Sequence, residues 1–498
     1  MIPPAEGRGG GRGKAGLVAA LATVVAAAGL AAATTRAHGN RPKAETAAAV
    51  RQVVVPPPAT EAPSTSSTTT SSSTTTTTTV AAPPRTAPAR VASAARAPAP
   101  PPVPLTLSGA LGQVMGGLSG CLLVEDDGVP ILDHDSGAPF VPASTQKMLV
   151  AAAALSRLGP EYRFETKVVA PRPPQDGSLD DAWLVGGGDP YLVTPDYAGY
   201  LATRPRTADL ALTPMAALAD ELVGHGIKGI PAGLHTDESR YGPQRSVPSW
   251  KPSYVSEAEV GSLGALTVNE GLSTWGPSSQ TVAADPAVSA ATALGRLLND
   301  RGVTLPAPTA GGTAPRDAVV IATVQSAPLA QIVAGMLRSS DNYVAEMLVK
   351  ELDHQYGGPG LTAGGTARVI EEDGRLGVPV DGVHLADGSG LDVGNRATCR
   401  ALLGTLTLSR LAPFSVLDSG LAVAGRSGTL ARRYVGSPAE NRLAAKTGWI
   451  NGAVAMVGRI ASQPTRRFAL IVNGQFGWPF AQSLEDRVVA LLTGPLAP

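Results

Sequence analysis

The chain has 498 residues, with 40 basic and 40 acidic side chains. That neutrality argues against a nucleic-acid-binding protein, which would show a basic stripe, and the only two cysteines, Cys121 and Cys399, exclude a disulfide scaffold and a Cys-rich zinc site. The balance hides an asymmetry, because residues 1–104 carry 10 basic and 3 acidic side chains and leave the remainder at a net −7.

Residues 1–14 hold Arg8, Arg12 and Lys14 against Glu6. A charge-free apolar run extends from Ala15 to Ala33, within a segment 15–35 that reads as a transmembrane anchor or an export signal. The positive flank precedes the run and stays cytoplasmic. Both readings export the rest of the chain, as a single-pass membrane protein or, after cleavage, a secreted one. Residues 36–104 contain the unbroken Ser/Thr run Ser64–Thr79 between Pro-rich stretches. Such a composition buries too little apolar surface to fold and reads as a disordered spacer. As a flexible coil it reaches roughly 45 Å, and as polyproline II roughly 200 Å.

Beyond Leu105 helices and strands mix. Gly120–Val124 and Val129–Leu132 flank the turn cluster Glu125-Asp126-Asp127-Gly128 and predict a hairpin. The Ala/Leu/Met-rich stretch Thr145–Leu158 predicts a helix with Ser144 near its N-terminus. Further helices are predicted over 214–224, 288–301, 328–337, 342–352, 363–373, 397–409 and 481–492. Strands are predicted near 182–185, 319–324, 453–460 and 468–472, the last two forming a hairpin before the final helix.

Three short motifs carry chemistry. In Ser144-Thr145-Gln146-Lys147, a helix places Lys147 one turn from Ser144, on the same face. A desolvated lysine can act as the base that makes a serine nucleophilic, although a helix cap beside a solvated lysine fits the same four residues. In Ser340-Asp341-Asn342, a hydroxyl can relay a proton and an amide can hold a peptide, while a plain N-cap is the structural alternative. Lys446-Thr447-Gly448 precedes an apolar run that reads as a strand. There a cation, a hydroxyl and a residue without Cβ suit carboxylate binding and close substrate approach. The alternative is a strand-start lysine with a turn glycine.

The order Ser-x-x-Lys, Ser-x-Asn, Lys-Thr-Gly resembles the serine penicillin-recognising enzymes. Pro142–Lys147, Gly186-Gly187-Gly188-Asp189-Pro190, Asp387-Gly388-Ser389-Gly390-Leu391 and Gly428-Thr429-Leu430 are similar to segments of the class C low-molecular-mass penicillin-binding proteins. These are D-alanyl-D-alanine carboxypeptidases and endopeptidases, and the resemblance spans roughly residues 108–490. It implies an α+β fold, with a penicillin-binding-protein transpeptidase/β-lactamase-like domain of antiparallel sheet and flanking helices over 105–165 and 319–498. One inserted domain is expected at 166–318, since the stretch between Gly271 and Pro286 is too brief for a second.

The resemblance also implies roles. Ser144 attacks the terminal D-Ala–D-Ala carbonyl, and Lys147 is its base. Ser340 and Lys446 pass a proton to the leaving amine. Asn342 orients the peptide, Thr447 helps bind the carboxylate, Gly448 lets the substrate approach, and the N–H groups of Ser144 and Trp449 form the oxyanion hole. Peptidoglycan stem peptides are the implied substrates and β-lactams the covalent inhibitors. No metal or cofactor is implied, and none of the six His falls in these motifs. Two departures stand out. Trp449 replaces the usual Thr or Ser after Lys-Thr-Gly, and Trp250 is not followed by the family's Asp, leaving Glu257 and Glu259 as nearby carboxylates. A D,D-endopeptidase would use the same residues. A β-lactamase is disfavoured by the insert and the Asp-Gly-Ser-Gly-Leu segment, and a catalytically weak wall-binding protein by the complete set of nucleophile and bases. Cys121 and Cys399 either pair or are separate buried thiols.

Overall fold

The computed structural model describes residues 106–276 and 279–494. The expected basic N-terminus, anchor and spacer lie outside the described residues. Among the described residues no helix is long and apolar enough to cross a membrane.

A six-stranded antiparallel sheet forms the base of the fold, with strand order Ala422–Val423, Leu443–Ile450, Ala453–Ile460, Arg466–Asn473, Ser119–Asp126 and Val129–His134. Successive side chains of a strand point to opposite faces, and the two faces divide accordingly. Cys121, Ala455, Val457, Ala469 and Ile471 pack beneath the helices Lys147–Leu158, Leu329–Ser339, Asn342–Gln355 and Cys399–Leu408. Leu122, Val124, Val454, Met456, Phe468, Leu470 and Val472 face the helices Leu107–Met115 and Trp478–Thr493. The sheet is covered on both sides, which is why its strands read as near-continuous apolar runs. Cys121 and Cys399 form a disulfide that ties the sheet to the start of one covering helix.

The helix Lys147–Leu158 is buried without interruption from Lys147 to Leu155. Its four consecutive alanines, Ala151–Ala154, explain how neighbours close around it on every side. A helix that is apolar all round belongs in a core, and its N-terminal end therefore delivers Lys147 into a desolvated place.

A second, mixed sheet stands apart with its own core. Its order is Thr309–Gly312, Leu234–Asp237, Ala182–Val185, Glu165–Ala170 and Val319–Gln325, and the helices Met215–Gly224 and Pro286–Asn299 pack into the same core. The strand Val319–Gln325 pairs antiparallel with Glu165–Ala170. Both belong to this second sheet, whose strands therefore run from Glu165 to Gln325 in the sequence. Sequence order hid the pairing, because the two strands close the insert from opposite ends of a long segment. The brief stretch after Gly271 holds a small ribbon, Leu272–Thr274 with Thr281–Val282.

Candidate active site

Ser144 sits in a 3-10 turn, Ala143–Gln146, that runs directly into the buried helix. Pro142 ends the approach, and its carbonyl accepts from the Thr145 hydroxyl at 2.7 Å. Ala143 is held at φ +46°, a conformation that costs an L-residue about 1–2 kcal/mol. The backbone of Gly390 presses on it: a Cβ there would lie 2.1 Å from the Ala143 carbonyl oxygen, and Gly390 is itself at φ +88°. The turn that presents Ser144 is thus clamped from outside.

Lys147 Nζ has three neighbours: Ser144 Oγ at 3.0 Å, Asn342 Oδ1 at 2.8 Å and the Ser389 carbonyl at 2.6 Å. Asn342 Nδ2 donates to the Glu259 carbonyl at 3.2 Å, which orients the amide so that its oxygen faces Lys147. Burial lowers the Lys147 amine to about 8, against the opposing pull of Asp387, Asp341 and Glu346. Lys446, in mid-strand, donates to Ser340 Oγ at 2.8 Å and to the Thr447 carbonyl at 2.6 Å. It is also fully buried. Desolvation, with the nearby charges of Lys147 and Arg206, holds its amine well below the usual lysine range.

Ser340 is the left-handed residue, φ +65°, that closes the helix Leu329–Ser339. The N-cap of the next helix is Asp341, whose carboxylate accepts from Val344 N at 3.0 Å. The capping alternative for Ser340 therefore fails: its neighbour caps, and its hydroxyl is left for Lys446. The Lys-Thr-Gly motif does not precede a strand but lies within Leu443–Ile450, and the apolar run after it is the next strand of the sheet. Thr447 Oγ1 donates to Thr429 Oγ1 at 2.9 Å. Gly448 is packed against the Ser144 turn, where a Cβ would sit 2.9 Å from the Pro142 carbonyl oxygen and 3.1 Å from Ser144 N. All three motifs converge on one cleft of about 670 Å³, walled on one side by Tyr197, Arg204 and Glu270 of the insert and on the other by Trp449 and Trp478.

Residues without an expected role complete the site. Asp387 is buried and accepts from Gln146 Nε2, Gly390 N and Asn395 Nδ2 on one oxygen, and from Trp250 Nε1, Asp392 N and Ser389 Oγ on the other. Trp250 is accordingly a pillar of this loop rather than a substrate contact. Glu346 Oε1 accepts from Gly388 N at 2.9 Å and Ser389 N at 2.7 Å. Burial, then the Asp387 charge, raises Glu346 to about 8. Together Asp387 and Glu346 aim the Ser389 carbonyl at Lys147. The visible signal was the segment Asp-Gly-Ser-Gly-Leu, whose charge and two glycines suit a tightly folded loop. Of the two carboxylates after Trp250, Glu259 borders the cleft and Glu257 is not among its lining residues.

A family model described as the D-Ala-D-Ala carboxypeptidase 3 (S13) family matches residues 110–276 and 275–494. The chain belongs to that family. A carboxypeptidase DacB of Mycolicibacterium smegmatis is 30% identical over 396 residues, covering 76% of this chain and 80% of the relative. A D-alanyl-D-alanine carboxypeptidase of an Actinomadura species is 27% identical over 456 residues, covering 76% and 81%. Penicillin binding protein 4 of Haemophilus influenzae superposes with a TM-score of 0.64 at 20% identity, covering 78% of this chain and 99% of that one. It has also been crystallised with a β-lactam. The S13-family chain is a serine-type peptidase with the α+β fold of the penicillin-recognising enzymes.

Proposed function

We propose that the protein removes the terminal D-Ala from peptidoglycan stem peptides through an acyl-enzyme on Ser144. The arrangement around Lys147 carries this reading. A charged ammonium donates to all three neighbours. Two of them, Asn342 Oδ1 and the Ser389 carbonyl, can only accept. When Lys147 loses a proton, its two remaining hydrogens stay with those acceptors, and the lone pair faces the Ser144 hydroxyl. A base with an amine lowered to about 8 is poised for proton abstraction near neutral pH.

Ser144 Oγ then attacks the carbonyl carbon of the D-Ala–D-Ala bond, and its proton passes to Lys147. Negative charge develops on the carbonyl oxygen and is met by the N–H groups of Ser144 and Trp449. The proton taken up by Lys147 is passed by way of Lys446 and Ser340 to the leaving nitrogen, the C–N bond breaks, D-Ala departs and Lys147 is again a neutral base. Asn342 orients the peptide, and Thr447, steadied by Thr429, binds the terminal carboxylate, with Gly448 leaving room for the Ser144 turn beside it. Water, deprotonated by Lys147, attacks the ester carbonyl and frees Ser144. A β-lactam acylates the same hydroxyl as its ring opens. The disulfide supports work in an oxidising compartment. Residues 15–35 would export the enzyme, as a membrane anchor or a cleaved signal, and the 36–104 spacer would give it reach into the wall.

The test is labelling of the full chain with a fluorescent penicillin, with mass spectrometry of the adduct, beside D-Ala release from a pentapeptide. The expected result is one label at Ser144, lost in Ser144→Ala, and D-Ala release lost in both Ser144→Ala and Lys147→Ala. An unlabelled, well-folded wild type that releases no D-Ala overturns the assignment.

A further inference from the structure

Trp449 and Trp478 line the cleft, and with Phe476 and Phe480 they form a run of rings that the acyl-transfer steps do not use. Trp449 follows Gly448 in the strand and lies 5.4 Å edge-to-face from Trp478 and 6.2 Å from Phe476. Phe476 in turn lies 5.0 Å from Phe480. Trp478 and Phe480 are 43% and 38% exposed, although the whole chain has only five Trp and six Phe. The Arg433 guanidinium lies 6.0 Å from the Trp478 ring and is held by Glu485 and by Asp486 at 2.8 Å.

Aromatic faces kept in water on the rim of a cleft call for a ligand. A stable protein partner would need about 800 Å² on each side, more than a few rings framed by charged groups supply. Aromatic faces beside paired polar groups instead suit a ligand with one apolar face and a fringe of hydroxyls. The D-Ala–D-Ala end offers only methyl groups, so the broadest apolar faces of peptidoglycan are those of its sugar rings.

We propose that Trp478 and Phe480 form a platform for a sugar ring of the glycan strand that bears the stem peptide. The inference rests on the reading of this cleft as a peptidoglycan peptidase site. Position supports it. A peptide paired antiparallel to the strand Leu443–Ile450, with its carboxylate at Thr447, runs its N-terminal end past Trp449. Four extended residues span about 13 Å, the scale on which the rings succeed one another beyond Trp449.

The experiment uses the full chain, Trp478→Ala and Phe480→Ala, both changes lying on the surface. D-Ala release is measured from a disaccharide-pentapeptide and from the same pentapeptide without sugar. Tryptophan fluorescence is followed during titration with a peptide-free peptidoglycan disaccharide. In the wild type the sugar-bearing substrate should have the lower KM. Each variant should raise that KM about tenfold, and Phe480→Ala, at a position not among the cleft-lining residues, should alter the sugar-free reaction less than twofold. The disaccharide should quench wild-type fluorescence and not that of Trp478→Ala. Equal kinetics on both substrates without quenching overturns the platform and leaves the peptidase reading intact. Quenching without any D-Ala release keeps the platform and overturns the peptidase reading. A wild-type dimer in light scattering that Trp478→Ala makes monomeric, with no effect of sugar, identifies a protein contact and overturns the proposal.

Discussion

Asp387→Asn tests the support of Lys147, the proposed base. Each Asp387 oxygen faces three donors. An amide supplies one oxygen and one NH2 group, so in either orientation two hydrogens point at three donors. At roughly 1.5–3 kcal/mol for each hydrogen bond to a charged acceptor, and with the contact at 3.4 Å from Ser389 Oγ contributing little, the loss is about 3–6 kcal/mol. The change also removes the largest charge opposing the desolvation of Lys147. The Lys147 amine therefore falls below about 8, and the neutral base appears at lower pH. Acylation by a chromogenic β-lactam, followed from pH 5.5 to 9.5, should show an ascending limb near pH 8 in the wild type and at lower pH in the variant. Its plateau should be reduced, because the Ser389 carbonyl is less firmly aimed. Thermal unfolding should give a lower Tm. A folded variant whose limb stays in place or moves up in pH refutes the electrostatic part of the reasoning. An unchanged Tm refutes the hydrogen-bonding part.

Three further outcomes are expected. Gly448→Ala places a methyl 2.9–3.1 Å from the backbone of Pro142, Ser144 and Thr145, so the turn must shift; it should slow acylation at least about tenfold, a barrier increase of ~1.4 kcal/mol, and lower stability by about 1–3 kcal/mol; wild-type acylation and Tm in the variant contradict the close approach. Asp373 is buried with neither carboxylate oxygen partnered, and burial, with Glu372 beside it, pushes its carboxyl well up. Its neutral folded form is favoured below the unfolded value of about 4, and stability is lost as pH rises above that. The Tm advantage of Asp373→Asn should therefore grow from pH 5 to pH 8, and a constant gap excludes the effect. Replacing both Cys121 and Cys399 by Ala opens a bridge across a sequence separation of 278 residues and should cost about 5 kcal/mol, read from denaturant unfolding; an unchanged midpoint rules out that contribution.

Local chemistry made much of this protein legible without its structure. The spacing of Ser144 and Lys147 suffices to place them on one turn, because helical geometry depends on nothing further away. Runs such as Ala453–Ile460 announce a doubly covered strand by composition, and the observed strand has those bounds. Resemblance in three motifs carried the reaction class, since acyl transfer by a serine and two lysines demands those groups in any setting. Other features depend on residues far apart in sequence and had no local signature. The pairing of Val319–Gln325 with Glu165–Ala170 is one of these, and the partnership of the Ser340 hydroxyl with Lys446, 106 residues away, is another. The amine of Lys147 is lowered by burial in a core assembled from several helices, and Asp387 gathers donors from Gln146, Trp250 and its own loop. Sequence alone named the groups that the proposed chemistry uses. Only the tertiary structure decided their protonation and aim, because desolvation and hydrogen-bond partners are properties of the packed chain.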